Sequence, residues 1–458
     1  MTSTRHAIVV GAGISGLACA LRLAETGVSV RILEASDRPG GLISTVEQGG
    51  FLFEAGPQSF QITPELRELI RSVGFENEIL EAPSQTPRYV LLGGKLRPAL
   101  MSPPSILTTS LLSVGSKARI FGEALKHSNP PTGDESFADF VRRKFGTEIL
   151  EHLAGPFVSG VFAGDPEKLS LRSTFPTMAQ WEEEYGSVLR GAMKSHKSGD
   201  APRERPTLAG FKRGMGSLLA SIAAKLSHAF ATQVAVKSIA RSGNGPGWRM
   251  ECSESSHGGT LHADAIILAT PAYEASRLTQ RLSEPLATTL AGMPYAPVAV
   301  VSEGYRREHV GHALNGFGFL VPRSEKMRTL GTVWNSSLFA GRAPSGTVLM
   351  TSFAGGALDP DLVQSEETEI ANLIRDELVK VLQISGPPAA RHVWRHLRAL
   401  PQYNLGHAQR VGAIRDGLEA LPGIFITGNY LEGPSIGSCV AEGFRTAKAV
   451  HEYLQRAS

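Results

Sequence analysis

The stretch Ala7–Ala20, AIVVGAGISGLACA, decides the first domain. The run AIVV reads as a short buried strand. Glycines follow at 11, 13 and 16, and ISGLACALRLAETG then reads as a helix that Gly27 ends, with Leu17, Cys19, Ala20, Leu23 and Ala24 on its apolar face. VSVRILEAS reads as a second strand ending at Glu34. In such a strand–loop–helix–strand unit each glycine has its own task. Gly11 permits the tight turn, Gly13 lets the backbone approach a pyrophosphate, and Gly16 lets the helix pack close to the sheet. The helix N-terminus offers free N–H groups and a partial positive charge to an anion. The expected contacts of a dinucleotide are therefore Gly11, Ala12, Gly13, Ile14, Ser15 and Gly16, with Glu34 and its neighbour Ala35 at a ribose. A carboxylate at 34 accepts from both ribose hydroxyls and repels a 2′-phosphate, which argues against NADP. The spacing alone also fits a glycine-rich turn with no ligand; strand, helix and terminal acid together favour the dinucleotide.

The rest of the chain is consistent with a large folded protein. Its 458 residues are too many for one ordinary domain. With 42% hydrophobic and 19% charged residues it can bury a substantial core. The net charge of +3 gives no reason to expect nucleic acid. Cys19, Cys252 and Cys439 are scattered, so neither a disulfide framework nor a metal site is expected, and a reducing cytoplasm fits. The N-terminus has no signal-peptide pattern, and no apolar run approaches the ~20 residues that cross a bilayer. A peripheral membrane contact stays open.

Two further stretches bear on which dinucleotide is held. After Glu34 comes ASDRPGG, where the doublet Gly40–Gly41 can converge backbone N–H groups on an anion and Arg38 adds charge. A plain hairpin turn is the other reading. At the far end, GIFITGNYLEGPSIGSCVAEGFRTAKAVHEYL reads as strand, glycine loop and helix, with the helix starting near Gly437–Ser438. With these stretches the sequence resembles the flavin amine oxidase superfamily. The resemblance implies FAD, bound without a covalent link. It adds Arg38, Gly40, Gly41, Leu42, Gly56, Pro57, Gln58 and Ser59 to the cofactor contacts, then Val236, His396, Gly428, Pro434, Ser435 and Ile436. Read bottom-up, Val236 is only a strand valine.

The expected fold class is α/β plus α+β. A discontinuous Rossmann-like FAD-binding domain takes residues 1–81, 205–270 and 396–458. An antiparallel-sheet substrate-binding domain takes 271–395, where strand-like runs surround one helix, EETEIANLIRDELVKVL. A third, mostly helical domain takes 82–204. In it, MSPPSILTTSLLSVGSKARIFGEALKH combines apolar residues with Lys117, Arg119 and Lys126 and could lie on a membrane surface. An amphipathic helix packed on its own domain is the plainer reading. KSHKSGDAPRERPTLAG reads as a flexible loop.

Four stretches narrow the resemblance: GFGFLVP, PQYNLGH, VFAGDPEKLS and FEAGPQSF. Together they look like the oxygen-dependent protoporphyrinogen oxidases of haem synthesis. The resemblance implies that no protein residue does the central chemistry. A meso-carbon hydride leaves for the flavin and a pyrrole N–H proton is lost, in three two-electron rounds, with O2 reduced to H2O2. The protein supplies a flat apolar slot. Phe317 and Leu320 would sandwich the macrocycle, Phe353 would be another wall, and Gly160 and Phe162 would line the helical side. Arg97 is the expected cation for the propionates. The chain has WRHLRALPQY where an R-W pair is frequent in the family, so either His396 substitutes for the aromatic or Trp394 shifts; a buried histidine hydrogen-bonded in the core is the plainer reading. PQYNLGH itself could be a structural turn. Protoporphyrinogen IX and coproporphyrinogen III are not separated. An amine oxidase or carotenoid-desaturase-like enzyme on the same scaffold, and a non-enzymatic FAD-binding protein, are the competing readings. The remaining expectations are a cytoplasmic location, with peripheral contact on the inner face of the cell membrane and a homodimer both open.

Overall fold

The computed structural model describes residues 5–84, 86–99, 105–127, 129–197, 208–243, 247–253 and 258–456. Two sheets organise them. The first is a five-stranded parallel sheet in the order Phe230–Ala231, Ser29–Leu33, His6–Val10, Ala265–Leu268, Ile424–Ile426. Its strands are apolar runs because both faces are covered. On one face lie the helices Ile14–Glu25 and Ile436–Arg456, which share a core of Leu17, Ala18, Leu21, Val440 and Val450 with Ala7 and Val9. They cross closely: a Cβ on Gly443 would sit 2.5 Å from Ser15 O. On the other face lie a three-stranded antiparallel layer (Val236–Arg241, Trp248–Cys252, Thr260–Ala263) and helices Ala272–Thr279, Glu284–Ala291 and His407–Glu419.

The second sheet has seven strands, in the order Ala390–Pro401, Tyr295–Arg306, Thr347–Gly355, Thr329–Val333, Gly318–Leu320, Arg88–Leu92, Lys95–Pro98. Its pairings are antiparallel except that Gly318–Leu320 runs parallel to Arg88–Leu92. The helix Glu367–Leu382 covers one face, with Ile370, Ile374 and Leu378 on Ala299, Val301 and Met350. The opposite face looks toward the loops of the first sheet.

The mixed α/β and antiparallel class holds. Several local expectations do not. RYVLLGGKLRP, inside the segment read as mostly helical, is a hairpin on the edge of the second sheet. Its turn is Gly93–Gly94, both at positive φ (+63° and +69°), a two-residue connection that suits the strand twist. HADAIILATPAY, which the sequence reads as one strand ending at Pro271, is two strands in two sheets, divided at Asp264, whose carboxylate accepts from His6 N at 2.8 Å. Residues 272–291 pack on the parallel sheet and not on the antiparallel one. The 395/396 boundary falls within one continuous strand. The C-terminal helix begins at Ile436. Parts of two stretches read from the sequence, 100–104 and 198–207, lie outside the described residues.

Between the sheets and solvent sits a group of helices that includes Val114–Leu125, Phe137–Lys144, Gly155–Phe162, Pro176–Tyr185 and Val188–Lys197. Buried ion pairs tie it together. Lys144 Nζ lies 3.2 Å from Glu123 and 2.8 Å from Glu182, and Arg143 binds Glu182 and Glu135. Glu123 also accepts from the N–H groups of Val188 and Leu189, so one carboxylate caps a helix and pairs a buried ammonium.

Candidate functional site

Because the first sheet is parallel, the C-terminal ends of its strands share one edge, and the loops leaving that edge form the candidate site. Gly11 sits at φ +103°, and a Cβ there would lie 2.7 Å from Ala269 O. A Cβ on Gly16 would lie 2.2 Å from Gly11 O. Both positions exclude any side chain for reasons internal to the protein. Gly13 differs. Its backbone is extended (φ −69°, ψ 172°), and an added Cβ would meet no protein atom. Nothing in the protein requires glycine at 13, so the clear space lies on the outside of the loop. The helix that follows has no side-chain cap, which leaves its first-turn N–H groups for an anion.

The second loop packs on the first. Gly40 N donates to Ala12 O at 2.8 Å. Gly41, at φ +59°, opens to free space. Arg38 donates to Gly41 O (2.9 Å) and Ile43 O (3.3 Å), so it braces the turn. Glu34 Oε2 accepts from Ala12 N at 2.8 Å, and Oε1 accepts from the N–H and hydroxyl of Ser36. Those bonds leave a lone pair on Oε2 for a ribose hydroxyl, with Ala35 exposed beside it. Leu42 O lies where a Cβ on Gly56 would be, at 2.4 Å, which brings in the 56–59 loop with Pro57 and Ser59. Gln58 is buried, and its Nε2 donates to Gly56 O and Glu54 O. The last loop runs from Gly428 to Pro434, and Ser435 Oγ caps the helix from Ile436 by accepting from Ser438 N. Thr270 Oγ1, Thr427 Oγ1 and Tyr430 Oη are buried without partners at this same edge. Open space at Gly13, an uncapped helix and orphaned hydroxyls fit a phosphate- and ribose-bearing cofactor. Val236 is buried in the antiparallel layer, and its carbonyl accepts from Arg277, so only its strand position recommends it.

The second sheet supplies the apolar wall. Its registers align Trp394, Val300, Phe353, Gly331, Leu320, Val90 and Arg97 in one row across all seven strands. Gly160 lies against this row: a Cβ there would be 2.3 Å from Leu320 Cδ2. Phe317 and Phe353 join one cluster with Val333, Leu338 and Phe339. The structure therefore gathers Gly160, Phe317, Leu320 and Phe353. It does not gather the Phe162 ring, which stands edge-on to Phe175 at 5.5 Å in the helical core.

His396 is held against the backbone of the cofactor loops. Its Nε2 donates to Ala55 O at 2.8 Å and fixes the start of the 56–59 loop. Burial, together with the nearby Arg38 charge, lowers its pKa and keeps the ring neutral. Trp394 stacks on His392 at 4.5 Å and 11°.

Arg97 is committed elsewhere. It donates to Leu92 O and to Ser110 O, tying the hairpin to the helical region. Sequence reasoning missed Arg88. Its guanidinium lies over the Phe317 ring, 5.1 Å from the centroid. Among the described residues no carboxylate pairs with it. One side is open to solvent, yet enough protein surrounds the charge to lower its pKa. The clue in the sequence was strand parity, which puts Arg88 on the same face as Val90.

PQYNLGH joins three parts of the molecule. Tyr403 and His407 stack at 4.1 Å, and their Oη and Nε2 donate to Asn429 O and Leu431 O of the last loop. Gly406 N donates to Asp134 of the helical region. The stretch is structural.

A parallel sheet with a glycine cradle, beside the wall of a second sheet, fits the class of cofactor-dependent oxidoreductases. The particular family follows from comparison: the chain belongs to the flavin containing amine oxidoreductases, whose family model matches residues 14–451. It is 34% identical over 473 residues to the chloroplastic protoporphyrinogen oxidase of Nicotiana tabacum, covering 98% of this chain and 86% of that one. It is 30% identical over 474 residues to coproporphyrinogen III oxidase of Bacillus subtilis (strain 168), covering 98% of each. In fold it matches a provisionally assigned protoporphyrinogen oxidase from Exiguobacterium sp. 255-15, with a TM-score of 0.84, 23% identity and coverage of 99% and 100%.

Proposed function

We propose that the chain is an FAD-dependent oxidase that converts protoporphyrinogen IX or coproporphyrinogen III to the porphyrin, consuming O2 and releasing H2O2, in haem biosynthesis. The observation that carries this reading is the apolar row across the second sheet, facing the cofactor cradle, in a chain whose full-length relatives bear these names. When bound, the flavin supplies the two-electron acceptor. The protein's own work is to bind, orient and keep water out. Leu320, with Gly160 against it, and Phe353 offer flat apolar contact; Phe317 adds a ring that Arg88 covers. Arg88 is better placed than Arg97 to meet a propionate. Gly11, Gly13 and Gly16 and the helix after them take the pyrophosphate, Glu34 takes the ribose, and the Gly40–Leu42, 56–59 and 428–436 loops close over the remainder.

Peripheral membrane contact belongs to the same proposal. Leu107, Val114, Phe121 and Leu125 are exposed near Lys117 and Lys126, a pattern that suits a lipid surface. No helix among the described residues is long and apolar enough to cross a membrane. A cytoplasmic location and a homodimer remain part of the reading.

The test is anaerobic mixing of the yellow protein with each porphyrinogen, followed by oxygen. Bleaching by one of them, then recovery with peroxide release, is the expected result and names the preferred substrate. A flavin that neither porphyrinogen bleaches, but an amine or polyene does, overturns it.

A further inference from the structure

One buried amide pair is not accounted for by anything above. Gln58 sits in the loop beside Gly56; Asn335 opens a short helix directly after the strand Thr329–Val333. Both side chains are buried, and Asn335 Nδ2 donates to Gln58 Oε1 at 2.6 Å. The orientation of both amides follows from the bonds. Gln58 Nε2 faces two carbonyls, Gly56 O and Glu54 O, so its oxygen must face Asn335. Asn335 must then present its NH2 group, and the atom left over is Asn335 Oδ1. That oxygen is buried and has no hydrogen-bond partner. An unmatched acceptor in the interior is costly, and it persists where a ligand completes it.

Its place in the fold says which ligand. The pair bridges the seam between the cofactor loops and the apolar wall. Gly56 packs on Leu42 O on one side. On the other, Val333, Leu338 and Phe339 flank Asn335 in the cluster that holds Phe317 and Phe353. Beside it Trp334 Nε1 is a second buried polar atom without a partner, a donor where Asn335 Oδ1 is an acceptor. A porphyrinogen is apolar on its faces but carries four pyrrole N–H donors at its centre, and it has carboxylates only at its rim.

We propose that Asn335 Oδ1 accepts a hydrogen bond from a pyrrole N–H of the bound porphyrinogen, and that Gln58 is the positioning residue that holds that oxygen toward the slot. The inference rests on the porphyrinogen reading above. Asn335 takes no proton; it fixes the macrocycle in its plane, while a cation at the rim fixes it by its carboxylates.

The experiment uses the flavin-loaded Asn335→Leu variant, close to isosteric, beside the unaltered protein. The unaltered protein must first be bleached by a porphyrinogen; if it is not, the functional reading fails and this one is not reached. Given that bleaching, Asn335→Leu is expected to keep its flavin content, its visible spectrum and its reoxidation by O2. Its KM should rise roughly tenfold, with kcat changed much less. The rise should be equal for proto- and coproporphyrinogen, which share the ring nitrogens and differ only at the rim. Gln58→Leu should move KM in the same direction and serves if the first variant does not fold. Unchanged KM in both variants overturns the proposal. So does loss or spectral shift of the flavin with KM retained, which would assign the donor to the isoalloxazine.

Discussion

At the residue scale, Gly13 and Glu54 make opposite kinds of statement. Gly13 has room for a side chain as far as the protein is concerned, so Gly13→Val should fold with a melting temperature near that of the apoprotein and yet lose most of its flavin. The ratio of visible to ultraviolet absorbance after purification checks this. Glu54 is fully enclosed: Thr45 Oγ1 and Met215 N donate to it, and the buried Arg342 faces it. Burial is the larger effect and pushes its pKa up to about 7. The unfolded chain ionises this group near the ordinary carboxylate value and the folded chain holds the proton longer. Its favourable share of stability is therefore complete below the unfolded pKa and is lost as the pH rises through about 7. Glu54→Gln should flatten that part of the pH–stability curve, by an amount on the order of 3 kcal/mol between pH 4 and pH 8. Denaturant melts across that range measure it, and a curve unchanged by the substitution would show that Glu54 does not titrate there. Arg88 and Arg97 separate in the same spirit. Arg88→Ala should raise the porphyrinogen KM, by more for the substrate with four carboxylates, while Arg97→Ala should lower stability with KM little changed.

At the element scale, legibility in the sequence tracked how local the cause was. The first strand, glycine loop and helix were readable because turn, cap and close packing all depend on residues within one short stretch. The positions of Gly160, Leu320 and Phe353 were supported only by resemblance, because register between neighbouring strands aligns Leu320 with Phe353 and helix packing brings Gly160 to them, neither of which leaves a mark in a single segment. Arg97 and Phe162 misled for the same reason. Each has the right chemistry in the right neighbourhood, but a carbonyl of another element claims the one and Phe175 claims the other. Residues 88–98 carried a visible signal in their alternation and glycine doublet, one that a helical neighbourhood obscured. The helical region makes its own prediction. Glu182 is shared by Arg143 and Lys144, and Lys144 is itself buried. Removing one partner leaves a buried charge short of compensation, so Glu182→Ala should cost about 3 kcal/mol or more. Replacing Lys144 and Glu182 together should still be costly, because Glu123 then loses its buried ammonium, but by less than the sum of the two single changes. A double-mutant cycle read by thermal unfolding measures the difference.

At the scale of the whole molecule, the second sheet reaches the loops of the cradle through side-chain hydrogen bonds to their backbone carbonyls. His396 from the second sheet holds Ala55, and PQYNLGH at the end of the same strand holds the 428–436 loop. Displacements of the wall therefore reach the cradle through these few hydrogen bonds. Tyr403→Phe and His407→Ala should loosen flavin binding without touching substrate contacts, visible as faster flavin release on dilution.

The parallel sheet draws its strands from near residues 10, 30, 230, 265 and 425, and the long helix that packs on the first helix comes after all of them. A ribosome delivers these pieces in that order. While the chain is being made, Ala265–Leu268 waits as an open edge and the apolar side of Ile14–Glu25 has no cover. The cradle cannot close until the Gly428–Pro434 loop and the start of the helix at Ile436 have emerged. Loading with cofactor thus becomes a report that the chain has been made at least through its last strand and the loop after it, and a chain stopped before that point would reach the cell's proteases colourless and exposed.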